Sequence, residues 1–293
     1  MRAGVLNVSK PAGATSFSVV RRLRDLTRAR RVGHAGTLDP LATGVLPILF
    51  ESATRLSEFA HQLPKTYEAE VHLGFRTATD DAEAEPEPVA DAGGLDAEAV
   101  AAALQEFVGQ IKQQPPAYSA VKVEGRRAYA RARAGEASRP AAREVVVYSV
   151  ELLRFDAGER PVAEIRVVCG SGVYLRALAR DLGDRLGVGG YLGRLARTGY
   201  GSLRLEDAVQ PDELEDGVAV EAALLPSEVL LPEMERVRLT VEQETQVRLG
   251  RSVRVLPEPR PGPLRAHDQE GRLVALGHTD PLKRLFVPDK VLG

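Results

Sequence analysis

The sequence predicts an α+β fold followed by a small β-barrel, and three observations predict it. Residues 67–73, 145–153 and 162–169 read as strands, and in the first Tyr67, Ala69, Val71 and Leu73 alternate with Glu68, Glu70 and His72. Residues 16–26, 51–63, 96–108 and 173–186 place apolar side chains at helical spacing. After about residue 232 the texture changes to short β-rich runs separated by turn residues. A chain of 293 residues, 44% of them hydrophobic, has material for one large domain and a small one. The boundaries expected are 1–232 and 233–293.

Taken in order, Ser16 can cap a helix with Phe17, Val20, Leu23 and Leu26 on one side and arginines on the other. Residues 33–44 hold three glycines and a proline without helical or strand periodicity, which makes a shaped loop. Pro40 biases Asp39 toward extended backbone, and an apolar strand-like run, 45–50, follows. Residues 51–63 turn Leu56, Phe59, Ala60 and Leu63 inward. Residues 80–94 are acidic and poor in apolar groups, so a mobile insertion is expected. Asp96 can cap a helix carrying Val100, Leu104, Phe107 and Val108. Residues 112–143 form a polar, basic excursion opened by Pro115-Pro116. The 173–186 helix keeps Tyr174, Leu178 and Leu182 in register and ends at Gly187. The final strands are expected at 237–241, 252–256, 264–267, 272–277 and 284–287, with a rigid Pro-rich loop at 257–263.

The formal net charge of −2 hides a separation of sign. Residues 21–31 carry six arginines against Asp25 alone, and 122–143 carry Lys122, Arg126, Arg127 and four further arginines against two glutamates. Acidic residues collect at 80–98 and 206–221. Two basic segments flanking one loop suit a polyanion such as RNA. The single cysteine, Cys169, excludes an internal disulfide, and its alternating apolar run predicts a buried thiol. His34 has no ligand spacing with His61, His72, His267 or His278, so no metal is expected. No apolar run approaches the roughly 18–20 residues of a membrane span, and the start lacks a signal-peptide segment. A cytoplasmic protein is expected.

Asp39 is then a lone carboxylate on a stiff loop, readable as an Asx-turn residue or as a working group. Arg176 opens the 173–186 helix, where the helix dipole disfavours a cation, so it wants an anionic neighbour, a carboxylate or a phosphate. Tyr67 starts its strand on the apolar side, in a core or lining a pocket.

Five segments resolve these alternatives. The string from Gly33 to Gly44, Val5–Gly13 with its Lys10-Pro11-Ala12-Gly13, Lys65–Ala69, Pro116–Lys122 and Cys169–Arg176 resemble, in order, the motifs of the TruB-type tRNA pseudouridine synthases. They span residues 5 to about 200. The resemblance implies a mixed, largely antiparallel sheet with flanking helices, the pseudouridine synthase fold, and a PUA-like C-terminal barrel that binds RNA. It implies isomerisation of uridine-55 in the tRNA T arm, with the uridine flipped out, by an isomerase that uses no cofactor or metal. Asp39 becomes the catalytic carboxylate, by attack on C1′ or by removing a sugar proton; Arg176 is its partner, and Tyr67 acts near the C5 proton. His34 fills the space left by the flipped base, Leu195 lines the pocket, and Lys10 supports the loop. Tyr174 and Lys122 lie within matched motifs, and with Arg126 and Arg127 they are expected to hold RNA. A monomer without an obligate protein partner is expected. The chain departs from the family pattern at Val8-Ser9 and Val123-Glu124. An RNA-folding factor is one rival; a glycoside-type hydrolase is another, and it would need a second carboxylate that the Asp39 motif lacks.

Overall fold

In this computed structural model the described residues are 1–118, 140–256, 260–280 and 282–292, with the backbone of 122–123 and 126–127. The strands are β1 (Gly4–Lys10), β2 (Val32–His34), β3 (Thr43–Phe50), β4 (Lys65–Leu73), β5 (Phe75–Arg76), β6 (Glu87–Pro88), β7 (Gly109–Gln113), β8 (Lys122–Val123), β9 (Arg126–Arg127), β10 (Arg143–Asp156), β11 (Val162–Cys169), β12 (Gly190–Tyr200), β13 (Leu203–Arg204), β14 (Glu235–Arg238), β15 (Pro263–His267), β16 (Leu273–Asp280) and β17 (Leu285–Val291). The α-helices are α1 (Ser16–Thr27), α2 (Ser57–Gln62), α3 (Ala97–Gln105), α4 (Leu175–Arg185), α5 (Gly217–Ala222) and α6 (Val241–Arg248).

The main sheet runs β1-β3-β12-β4-β11-β10-β7, with β2 on β3 and β13 on β12. Its pairings are antiparallel except at β3–β12, where Ala196 meets Thr43 and Arg197 meets Gly44 in parallel. The mixed, largely antiparallel sheet is as expected. Alternation feeds both faces: on β3, Leu46, Ile48 and Phe50 join a core with α1, α3 and α4, while Val45 and Leu49 join one with Leu56 and Ala60. Cys169 is a buried free thiol, pushed up to about 12 mainly by burial.

Four expectations need correction. Thr15, not Ser16, caps α1 by accepting from the Ser18 amide, and Ser16 faces inward. Phe17 is 65% exposed, because Val19 takes the inward position beside Val20 and Leu23. The 80–94 segment is not a solvated insertion throughout: Asp80, Asp81 and Ala92 are buried, and β5 pairs with β6.

The fourth concerns the C-terminal region, which is an open four-stranded sheet, β14-β15-β16-β17, and not a closed barrel. Residues 241–248 form α6, held by a capping box between Thr240 and Gln243. The expected strand at 252–256 contributes one bridge, Val253 to Phe286. With that strand reduced to a bridge, no pairing among the described residues joins β14 to β17. The region has its own core around Val247, Leu264 and Phe286, while Leu276 and Leu292 pack with Leu56 and Leu230 of the preceding region. Among the described residues no helix is long and apolar enough to cross a membrane.

Candidate active site

The loop between β2 and β3 has no regular ladder, so its polar backbone groups need other partners. The fully buried Lys10 ammonium donates to Pro11 O, Ala14 O and Pro40 O at 2.9, 2.7 and 3.2 Å. Ser16 Oγ donates to Leu38 O at 3.1 Å and accepts from Leu38 N at 2.9 Å. The Gly13 amide also reaches Pro40 O, at 2.8 Å. Burial pulls Lys10 down to about 8, against the attraction of Asp39. Gly44 ends the loop at φ +99°, where a Cβ would stand 2.2 Å from Arg197 O, so only glycine fits.

These ties set Asp39 on the wall of a cavity of about 560 Å³, which Tyr67, Tyr174, Arg176 and Leu195 also line. Arg176 Nη2 lies 2.9 Å from Asp39 Oδ2, and Nη1 lies 3.3 Å from Asp81 Oδ2. The Asp39 side chain is 38% exposed and that of Asp81 only 1%. Asp81 also accepts from Thr79 Oγ1 at 2.5 Å and from the Glu83 amide at 3.1 Å. Arg176 further donates to Thr79 O and Tyr118 O at 3.3 and 3.0 Å. The guanidinium is thus fixed by a buried carboxylate and two carbonyls, and Nη2, which donates to Tyr118 O, also reaches the carboxylate open to the cavity. Tyr67 stands on β4 opposite Arg197 of β12. Burial raises its phenol above the usual range, against the pull of Arg197, so the ring enters the cavity as a neutral phenol.

Residues 24–175, which include Asp39 and Tyr67 and stop one residue short of Arg176, match the profile of the TruB family pseudouridylate synthase (N-terminal domain). Curated proteins named tRNA pseudouridine synthase B match over most of their length. That from Thermobifida fusca is 44% identical over 282 residues, 94% of each chain; that from a Synechococcus strain is 42% identical over 279 residues, 94% of this chain and 93% of the relative. The chain belongs to the TruB family of pseudouridylate synthases. Such enzymes are isomerases. Among solved structures, a chain of a Cbf5-Nop10-Gar1 complex superposes with a TM-score of 0.71 at 26% identity, covering 99% of this chain and 85% of that one. An H/ACA RNP bound to a substrate RNA containing 2′-deoxyuridine gives 0.72 at 24% identity, with the same coverage, and shares the fold.

In this TruB-family chain the structure brings together Asp39, Tyr67, Arg176, Tyr174 and Leu195. The Tyr174 backbone is clamped by Gln113, and its ring lies under Arg143, 5.0 Å away. Lys10 lies beneath the loop and His34 behind it on β2; neither lines the cavity. His34 Nδ1 accepts from the Gly36 amide at 3.3 Å. Burial, then Arg197 and His61, lower its pKa and keep the ring neutral. The side chains of Lys122, Arg126 and Arg127 lie outside the described residues. Among the described residues no cluster of His, Cys, Asp and Glu could hold a metal ion.

Sequence reasoning missed Asp81, Lys65 and Arg197. Lys65 is buried, donates to His61 O at 2.6 Å and Ser171 Oγ at 2.8 Å, and is lowered to about 8 by burial. A signal for Asp81 was present. Arg176 and Arg180 lie one turn apart on α4, and two buried guanidiniums there require two anions. Arg180 pairs with Asp80 at 2.9 Å as Arg176 pairs with Asp81.

Proposed function

We propose that this chain is a tRNA pseudouridine synthase that isomerises uridine-55 of the T loop, with Asp39 as the essential carboxylate. The observation that carries this is the Asp39–Arg176 pair, 2.9 Å long, at the wall of a cavity shared with Tyr67. The reaction breaks C1′–N1, turns the base and forms C1′–C5; the C5 proton leaves and N1 gains one. It needs a flipped nucleotide, a site that keeps the detached base, and one carboxylate at the sugar. Asp39, on a rigid loop and open to the cavity, meets the last need. Arg176 holds it in one direction. The Tyr67 ring can stack on the base, with its hydroxyl on the side of the leaving C5 proton.

The relatives named tRNA pseudouridine synthase B support tRNA as the substrate, and the exposed arginines of α1 offer phosphate contacts. We assign the T arm and position 55 from the motif resemblance. The 112–143 excursion, with Lys122, Arg126 and Arg127, would grip the RNA, and the C-terminal sheet would extend that surface as a PUA-like unit. Hydrolysis would need a second working carboxylate. Asp81 is the near candidate, but Arg176, Thr79 and the Glu83 amide engage it and it is closed to solvent. The test is incubation with unmodified tRNA, followed by nucleoside analysis and mapping of the modified position. Pseudouridine at position 55 supports the proposal; unchanged uridine or an abasic product refutes it.

A further inference from the structure

Arg197 is 1% exposed, lines the cavity, and is given no task by the reading above. Its hydrogen bonds go to backbone carbonyls of the catalytic loop: Nε donates to Val45 O at 2.6 Å and Nη2 to Gly36 O at 3.1 Å. Gly36 and Val45 bracket Asp39, so one guanidinium closes the loop at both ends. Its backbone does the same from below, being in register with Gly44 on β3 and with Tyr67 on β4. The guanidinium also lies over the rings of Tyr200 and Tyr67, 5.1 and 6.0 Å from their centroids. Tyr200 extends the clamp, because its single hydroxyl proton is shared between Ala35 O and Ala60 O.

We propose that Arg197 is a positioning residue of the isomerisation, locking the Asp39 loop and the Tyr67 ring into one rigid unit. The inference rests on the pseudouridine synthase reading of this site. β3 and β4 are not neighbours in the sheet; β12 lies between them, and Arg197, next to Ala196, is paired with Gly44 on one side and Tyr67 on the other. Arg197 is thus where the strand that bears the phenol and the end of the loop that bears the carboxylate meet, and its side chain reaches from there to Gly36 O. A planar fork can serve two carbonyls and two ring faces together, and an ammonium cannot. An error of about 1 Å between reacting groups can cost about 10²-fold in rate.

The test uses full-length wild type, Arg197→Lys, Arg197→Gln, Tyr67→Phe and the Arg197→Lys/Tyr67→Phe double variant. The first readout needs no turnover: amide exchange of the bonded Ala35, Leu38 and Ala42 amides. In Arg197→Lys it should rise at least about tenfold, while the β10–β11 ladder stays as in wild type. The second is single-turnover conversion against RNA affinity. The rate should fall about 10–100-fold with binding within a few-fold, and the loss should largely vanish in the Tyr67→Phe background. Unchanged loop exchange, an unchanged rate, or a loss fully additive with Tyr67→Phe would overturn the proposal. So would failure of both Arg197 variants to fold, which would make Arg197 a scaffold residue. A wild type that makes no pseudouridine would refute the functional reading, while the exchange result would still decide the clamp.

Discussion

Replacing Asp81 with Asn tests whether the candidate site is a pair or a three-membered chain of charges. The substitution keeps the shape and removes the charge of a carboxylate whose side chain is 1% exposed. Thr79 Oγ1 and the Glu83 amide can still donate to the remaining oxygen. What is lost is the 3.3 Å contact to Arg176 Nη1: with Oδ1 kept by Thr79 and Glu83, the carboxamide turns its N–H groups toward a donor. Removing one partner of a buried ion pair costs about 3–5 kcal/mol. Arg176 keeps Asp39 and two carbonyls here, so the lower end, about 3 kcal/mol, applies. For a chain of this size that corresponds to a drop in Tm of about 6–10 °C. The rate should suffer more than stability. Freed from Asp81, the guanidinium can follow Asp39 into the cavity, and the carboxylate loses its fixed direction; a loss of about 10²-fold in single-turnover conversion is expected. The assay is quenched conversion of unmodified tRNA with excess enzyme, beside a thermal melt and a binding titration. Wild-type conversion with a melt within about 2 °C would refute the reasoning, since an uncoupled Asp81 would cost little.

Asp39→Asn should abolish conversion and leave tRNA binding within a few-fold; retained turnover would remove Asp39 from the chemistry. Arg176→Lys should also be slow in single turnover, because an ammonium cannot span Asp39 and Asp81 together; a normal rate would count against the pair. Binding should weaken steeply with salt, and Arg24→Ala on the exposed face of α1, or Arg126→Ala in the excursion, should each reduce the log–log slope by about 0.7–0.9 without moving the modified uridine; an unchanged slope would assign those arginines to a solvated face. Lys65 has a folded value of about 8 against the ordinary 10.5. Between those values the unfolded chain holds a proton the folded chain has released, so Lys65 makes stability rise with pH in that window and leaves it flat below 8. Relative to Lys65→Met, denaturant titrations of wild type should gain up to about 1.4 kcal/mol per pH unit above pH 8; parallel profiles would refute the burial argument.

The parts of the site legible in the sequence are those whose constraint is local. Pro40 and three glycines mark the loop, alternation places Tyr67 with Ala69 and Val71, and the start of a helix marks Arg176 as a cation in need of an anion. Asp81 was hidden because the character of a segment was read as the fate of each residue. Residues 85–91 are exposed as their composition suggests, while Asp80 and Asp81, at the head of the same run, answer two arginines a hundred positions away. The C-terminal error is similar in kind. A short β-rich run is not enough to make a strand, and the Thr240–Gln243 capping box turns residues 241–248 into a helix. Closure of a barrel depends on pairing between first and last strands, which no local pattern encodes.

Four buried cations of the site share a feature, and it explains why Lys65 and Arg197 are not marked in the sequence as Arg176 is. Lys10 donates to Pro11, Ala14 and Pro40 carbonyls, Lys65 to that of His61, Arg176 to those of Thr79 and Tyr118, and Arg197 to those of Gly36 and Val45. Each serves carbonyls in a loop, at the last turn of a helix or near a strand end, where regular pairing runs out. Carbonyl dipoles satisfy the N–H groups but leave the charges uncancelled. Asp39 and Asp81 are the carboxylates set against them through Arg176. Among the side chains that line the cavity, the cations Lys65, Arg176 and Arg197 equal the carboxylates Asp39, Asp81 and Glu83 in number, and Asp81 is closed to solvent and spent on Arg176. At short range a cation held on the cavity wall and not matched by a carboxylate of its own attracts an anionic ligand. Lys65, which donates to His61 O and Ser171 Oγ, thus ties a loop and faces the cavity with a charge that suits a phosphate-bearing nucleotide, and a neutral replacement such as Lys65→Met should loosen the loop and weaken binding together.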